Sequence, residues 1–147
     1  YALTKRRNTT YLAGLDPHAR EERRAQMLAA TPGELRSLGA YIRSYAAFPK
    51  GANVTFRKRL GRDHIKAVTY ERGVEDFTYA CGTGTGSVVT ILTLQGAVSG
   101  RAVAVQMTGG ELVVDVERRG STVEHLFLTG PTNLVAKGEL TDEELPL

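Results

Sequence analysis

The sequence predicts an α+β domain in which a mostly antiparallel, curved sheet or barrel wraps around one central buried helix. Three observations carry that prediction. Alternating polar and apolar residues recur in segments from Asn53 to Leu140, with turn residues between them. One segment, Gly84 to Gln95, breaks the alternation with Val88, Val89, Ile91, Leu92 and Leu94. A helix of that composition has little polar face and belongs in a core, and strands flank it on both sides.

Taken in order, residues Thr9 to Leu12 read as a short entering strand. Asp16-Pro17 starts a helix, because Asp accepts hydrogen bonds from free amides and Pro needs none at the first helical position. The good helix formers that follow carry it to about Ala30. Thr31-Pro32-Gly33-Glu34 forms a second start with a capping box. Leu35, Leu38, Ile42 and Tyr45 then share one helical face, and the helix is expected to end near Ala47. Phe48-Pro49-Lys50-Gly51 is a turn. Asn53 to Arg59 and Ile65 to Glu71 read as strands joined by Gly61-Arg62-Asp63. Ala102 to Met107 and Glu111 to Glu117 flank the hairpin signal Thr108-Gly109-Gly110. Thr122 to Leu128 and Leu134 to Leu140 are two further candidate strands, and the acidic tail after Thr141 is read as loose.

The chain has 147 residues, enough for one domain with its own core. Its 41% apolar and 24% charged residues are globular composition. It opens on Tyr1 instead of Met, as a piece of a longer protein would, and carries neither a signal-peptide pattern nor an apolar run long enough to span a bilayer. A membrane partner is therefore not expected. Nineteen basic against sixteen acidic residues leave a net charge of +3, too mild to imply a nucleic-acid partner. Arg20, Arg23 and Arg24 alternate with Glu21 and Glu22, and the second basic stretch, Arg57 to Arg62, has only Phe56 as an aromatic neighbour. A single cysteine excludes an internal disulfide and zinc sites built on paired cysteines, and it fits a cytoplasmic compartment.

The chemistry concentrates in Tyr70 to Ser87. Cys81 stands at the mouth of the buried helix, before Gly82, Thr83, Gly84 and Thr85. The first amides of a helix lack internal partners and carry partial positive charge. Glycines would leave them uncovered, a cradle sized for a carboxylate or phosphate. The same field should favour the thiolate of Cys81. The plain alternative is a buried cysteine acting as a small hydrophobe beside a tight turn. No Gly-Lys-Ser/Thr follows, so the loop is not a P-loop, and no parallel βαβ pattern supports a dinucleotide fingerprint. Arg72 could clamp a substrate carboxylate, or form a surface ion pair with Glu75 or Asp76. Glu71 could help a neighbouring thiol exchange its proton, or simply end a strand in solvent.

The string Glu71-Arg72-Gly73-Val74-Glu75-Asp76, with Thr78 and Ala80-Cys81-Gly82-Thr83-Gly84, resembles the second cysteine signature of diaminopimelate epimerases. Phe48-Pro49-Lys50-Gly51-Ala52-Asn53-Val54 is similar to that family's Phe-Pro-x-x-x-Asn-Val segment. Gly109-Gly110 and Leu128-Thr129-Gly130-Pro131 follow as further landmarks in the family's order. The resemblance runs from about Phe48 to Leu140. It implies a domain over residues 48–147, preceded at residues 1–47 by a helical segment that matches the family poorly.

Enzymes of this kind convert LL-diaminopimelate to the meso form, in lysine and peptidoglycan biosynthesis, with no pyridoxal phosphate, no metal and no other cofactor. They are similar to two copies of one fold closing on an amino-acid substrate, each copy supplying one cysteine. By that resemblance Cys81 is the cysteine of the second half and Glu71 assists it. Gly82 and Thr83 supply amides to the substrate, and Asn53 and Arg72 hold its distal end. Gly14-Leu15-Asp16-Pro17-His18-Ala19 looks like the family's Gly-x-Pro-His element with one extra residue, which makes His18 a further catalytic candidate. Its alternative is a plain histidine at a helix start, and His64 and His125 are read as structural. Phe77 departs from the Glu often found before the Thr. The implied partners are a small amino acid and an amino-terminal epimerase half, with room for a homodimer. A catalytically incomplete amino-acid-binding module and a related proline or histidine racemase are the rival readings.

Overall fold

The computed structural model describes residues 30–139. The expected strand at Thr9 to Leu12, the helix from Asp16, His18 and the tail after Thr141 lie outside them. The described elements run α1 (Pro32–Arg43), β1 (Val54–Arg59), β2 (His64–Glu71), β3 (Asp76–Thr78), α2 (Gly82–Leu94), β4 (Val103–Met107), β5 (Gly110–Arg119) and β6 (Thr122–Thr129). This is an α+β fold. Neither described helix is long and apolar enough to cross a membrane.

The strands form one mixed sheet in the order β1-β2-β4-β5-β6. β1 pairs with β2 antiparallel along nearly its whole length, so the other side of β2 is shared. β4 takes His64 to Lys66 there, and β3 takes Thr69 to Glu71. The β2–β4 pairing is parallel, which the sequence reading did not foresee. A parallel neighbour needs a crossover, and the segment containing β3 and α2 is that crossover. The remaining ladders, β4–β5 and β5–β6, are antiparallel, the second with a bulge at Glu117/Arg118.

α2 lies on the inner face and touches both end strands, β1 and β6, as well as β5. The sheet therefore curves around the helix, as the apolar composition of Gly84 to Gln95 predicts. It does not close, since β1 and β6 remain the two ends of the strand order. The core joins Val89 and Leu92 of α2 to Ile65, Ala67, Val103, Val105, Met107, Val114 and Val116 of the strands. Burial of α2 is one-sided, not all round: Leu94 is 41% exposed, while Val89 is fully covered.

α1 covers the outer face of β1 and β2. Its start is the capping box read from sequence: Thr31 Oγ1 accepts from the Glu34 amide at 3.3 Å, and Glu34 Oε2 accepts from the Thr31 amide at 2.7 Å. The helix ends at Arg43, a turn earlier than expected, and the Arg43 carbonyl instead takes the Ala52 amide at 3.1 Å. The expected apolar stripe docks only in part: Leu35 and Ile42 are half-buried. Leu38 and Tyr45 stay 36% and 39% exposed, and Gly39 makes the close approach, with Tyr70 beneath it. The candidate strand Leu134 to Leu140 is absent over its described residues: residues 130–139 are irregular, and Val135 is 92% exposed. An extended segment is stabilised by a neighbouring ladder, and none of the described strands pairs with this one.

Two glycines of α1 should respond oppositely to the same change. A Cβ on Gly39 would lie 2.9 Å from Tyr70 Cβ and Cγ, while a Cβ on Gly33 meets nothing within 4 Å. Gly39→Ala should lower urea stability by about 1–3 kcal/mol through overpacking, and Gly33→Ala should raise it by about 0.5–1 kcal/mol through helix propensity and chain entropy.

Candidate active site

The site is built where three chain ends meet: the loop entering β1, the end of β2 and the start of α2. Cys81 is the N-cap of α2, with extended backbone at φ −138° and ψ 101°. Its carbonyl accepts the Thr85 amide at 2.9 Å, which closes the first helical turn. By helix geometry the amides of Gly82, Thr83 and Gly84 have no acceptor four residues back within the helix. No acidic residue sits in that first turn to answer its positive end.

Cys81 is 5% exposed, yet it is not part of the hydrocarbon core cluster. Its surroundings are polar. Asn53 Nδ2 lies 3.9 Å from Sγ, and Thr83 Oγ1 lies 3.5 Å from it. Gly84 presses the helix start onto the β1–β2 pair. A Cβ there would come within 2.8 Å of Thr55 Oγ1, 2.9 Å of Thr69 Oγ1 and 3.3 Å of Cys81 Sγ. The two threonine hydroxyls are themselves 3.0 Å apart. Alternation hides that pair, because it sets Val54 and Phe56 inward and their polar neighbours outward. Both faces of these strands are covered, α1 lying over one and α2 over the other, and Thr69 is fully buried.

Asn53 and Arg72, paired in the sequence analysis only through the family resemblance, are hydrogen-bonded to each other. Asn53 Oδ1 accepts the Arg72 amide at 2.8 Å. The Arg72 guanidinium donates through Nη1 to the Lys50 carbonyl at 2.7 Å. A shallow cleft of about 210 Å³ opens between Phe48, Gly51, Ala52, Asn53 and Arg72. Gly51 takes φ +71°, a conformation other residues resist, and a Cβ there would collide with the Arg43 guanidinium at 2.7 Å.

The ion pair considered for Arg72 goes elsewhere. Glu75 binds Arg43, and Asp76 binds Arg36, both arginines from α1. The Gly73 amide, with Arg43 second, holds the Glu75 carboxyl below its ordinary value of 4.5. The Phe77 amide, with Arg36, does the same for Asp76 below 3.8.

Glu71 is half-buried and accepts from Thr78 Oγ1 at 3.0 Å across the β2–β3 pair. Among the described residues no hydrogen bond joins it to Cys81. Thr78 was visible in the motif but had no role until β3 placed it there. Gly82 lies under β6, where a Cβ would meet Leu128 Cδ2 at 2.9 Å, and Thr83 is exposed at the mouth. His64 and His125 make their contacts elsewhere, His64 Nε2 lying 3.8 Å from Glu111 Oε2 and the His125 ring tilted at 37° against Phe127 with centroids 6.1 Å apart. No three His, Cys, Asp or Glu side chains among the described residues are grouped to hold a metal.

The diaminopimelate epimerase family model matches residues 25–135, which takes in α1 as well as the sheet. The chain is similar to the diaminopimelate epimerase of Aquifex aeolicus, with 41% identity over 110 residues, 74% of this chain and 38% of that protein. Its counterpart from Leptospira biflexa is 36% identical over 106 residues, 72% of this chain and 36% of the relative. The one from Methanococcus maripaludis is 34% identical over the same shares. The chain thus spans a little over a third of the length of the curated relatives it matches.

The ties from Glu75 and Asp76 to α1 should loosen in acid. Both carboxyls are depressed in the folded state, so their contribution is present above the ordinary carboxylate values and is lost as pH falls through the folded ones. Amide exchange of residues 71–76, corrected for intrinsic rates, should hold its protection down to the ordinary carboxylate values of 4.5 and 3.8 and lose it as pH falls further below them, before the β4–β5 ladder does. Equal loss in both would contradict this.

Proposed function

This chain belongs to the diaminopimelate epimerase family, and from that premise we propose that it supplies the second half of an epimerase site acting on LL-diaminopimelate. The observation that carries the proposal is the setting of Cys81: a sulfur at a helix N-cap, in polar contacts, among glycines. That setting suits a group that must be thiol at one moment and thiolate at the next.

The reaction needs two such groups. A thiolate on one face of the α-carbon removes the proton, and the electron pair stays on carbon, delocalised into the adjoining carboxylate. A thiol on the opposite face delivers its proton to that carbon. Configuration inverts, and the two sulfurs have exchanged protonation states. The sequence has one cysteine, so the second would come from an amino-terminal half, either residues upstream of this sequence or a separate chain. Homodimer formation would be compatible with this division.

The difficult step adds charge to a group that is already an anion. Fixed amides aimed at it stabilise that charge without reorganising. Gly82 and Thr83, in the first turn of α2, would supply them. Arg72 and Asn53 border the cleft that would hold the substrate's distal end, and Glu71, steadied by Thr78, would assist proton exchange at the thiol. Proton transfer between sulfur and carbon requires neither pyridoxal phosphate nor metal, so we infer a cofactor-independent reaction; a thiol that must stay reduced suits the cytoplasm. His18 stays a candidate from its motif alone.

The test joins the chain to a complementary amino-terminal half. Diaminopimelate incubated in heavy water should then gain deuterium at the α-carbon, and Cys81→Ala should reduce that gain by about 10³-fold or more. Binding that survives Cys81→Ala with no exchange in the parent complex would favour the non-catalytic binding module. Full exchange by the Cys81→Ala complex would end the proposal.

A further inference from the structure

Asn53 enters the site through two atoms, and the geometry fixes which atom faces which partner. The Arg72 backbone N–H can only donate, and it lies 2.8 Å from Asn53 Oδ1. The amide oxygen must therefore point at Arg72. That leaves the NH₂ group, a donor without acceptor capacity, turned toward Cys81 Sγ at 3.9 Å. The reverse amide orientation would set two donors against each other at Arg72. The sulfur is thus held as an acceptor on this side.

Thr83 behaves differently. Its hydroxyl, 3.5 Å from Sγ, can act as donor or acceptor. It can accept from the thiol and donate to the thiolate by rotating. Asn53 cannot follow such a change, so its bond favours the charged form of the sulfur.

We propose that Asn53 is a positioning residue for Cys81: the Arg72 backbone locks its amide, and the locked NH₂ donates to the sulfur and biases it toward thiolate. This rests on the reading of Cys81 as the working thiol and goes beyond holding substrate. One Asn53 N–H and one lone pair of Oδ1 remain for a ligand in the adjoining cleft. Three chain ends meet through this one side chain: the entry to β1, the exit from β2 and the cap of α2.

Alkylation of Cys81 by iodoacetamide in the intact chain reads the bias without any turnover. Asn53→Asp keeps the oxygen that accepts from Arg72 and removes the donor, so the loop should persist while the sulfur loses its bond. Asn53→Ala removes both without adding charge, and Asn53→Ser replaces it should the alanine variant not fold by circular dichroism. Both the acidic and the neutral variant should alkylate more slowly near neutral pH, the acidic one by about tenfold. Their half-maximal alkylation should also move to higher pH. An unchanged rate and pH profile in Asn53→Asp overturns the inference. So does slowing in Asn53→Asp alone, since that traces the effect to the added carboxylate and not to the lost donor. Slow alkylation in the variants together with no deuterium exchange in the parent complex would spare this inference and sink the epimerase reading instead.

Discussion

The contact between the first turn of α2 and the β1–β2 pair governs the geometry of the whole site. Gly84 has no side chain, so the helix can settle until the position of a missing methyl is 2.8–2.9 Å from two threonine hydroxyls. That settling brings Cys81 into reach of Asn53. On the other flank, Gly82 and Gly86 let Leu128 and Leu126 of β6 approach equally closely, with missing-Cβ distances of 2.9 and 2.7 Å. Three alternate glycines thus seat the helix mouth between opposite ends of the sheet. Larger side chains would lift the helix and part the sulfur from its polar neighbours. The apolar second half of α2, through Val89 and Leu92, anchors the same helix in the core, so the mouth is held from behind as well.

The charges around this mouth are sorted by α1. Arg36 and Arg43 occupy Asp76 and Glu75, the two acids nearest Arg72 in sequence after Glu71. Arg72 is consequently bonded to a backbone carbonyl instead of to a competing carboxylate. A guanidinium so placed beside an open cleft keeps its charge available to an incoming anion. The family match beginning at residue 25 accords with α1 being part of this arrangement.

Much of this was legible in the sequence, for definable reasons. The α1 start is dictated locally by Thr31, Pro32 and Glu34, and the β4–β5 hairpin by Gly109-Gly110. The buried helix declares itself by composition. What escaped is what depends on distant partners. β3 is three residues long, too short to show a period, and exists only because Asp76 to Thr78 finds the end of β2. The parallel β2–β4 ladder leaves no local mark. Leu134 to Leu140 has strand composition but no ladder among the described residues, and the inward threonines of β1 and β2 mimic a solvent-facing pattern. The candidate site residues came from motif order, whereas their bonds (Arg72 to Lys50, Glu71 to Thr78) required the fold.

The epimerase proposal requires the mouth of α2 to receive a carboxylate beside Cys81. Titrating the isotopically labelled chain with diaminopimelate and following backbone amide resonances tests it most directly. The largest changes should fall on Gly82, Thr83 and Gly84, with Arg72 next. Saturating changes elsewhere on the sheet, with these amides unmoved, would contradict it.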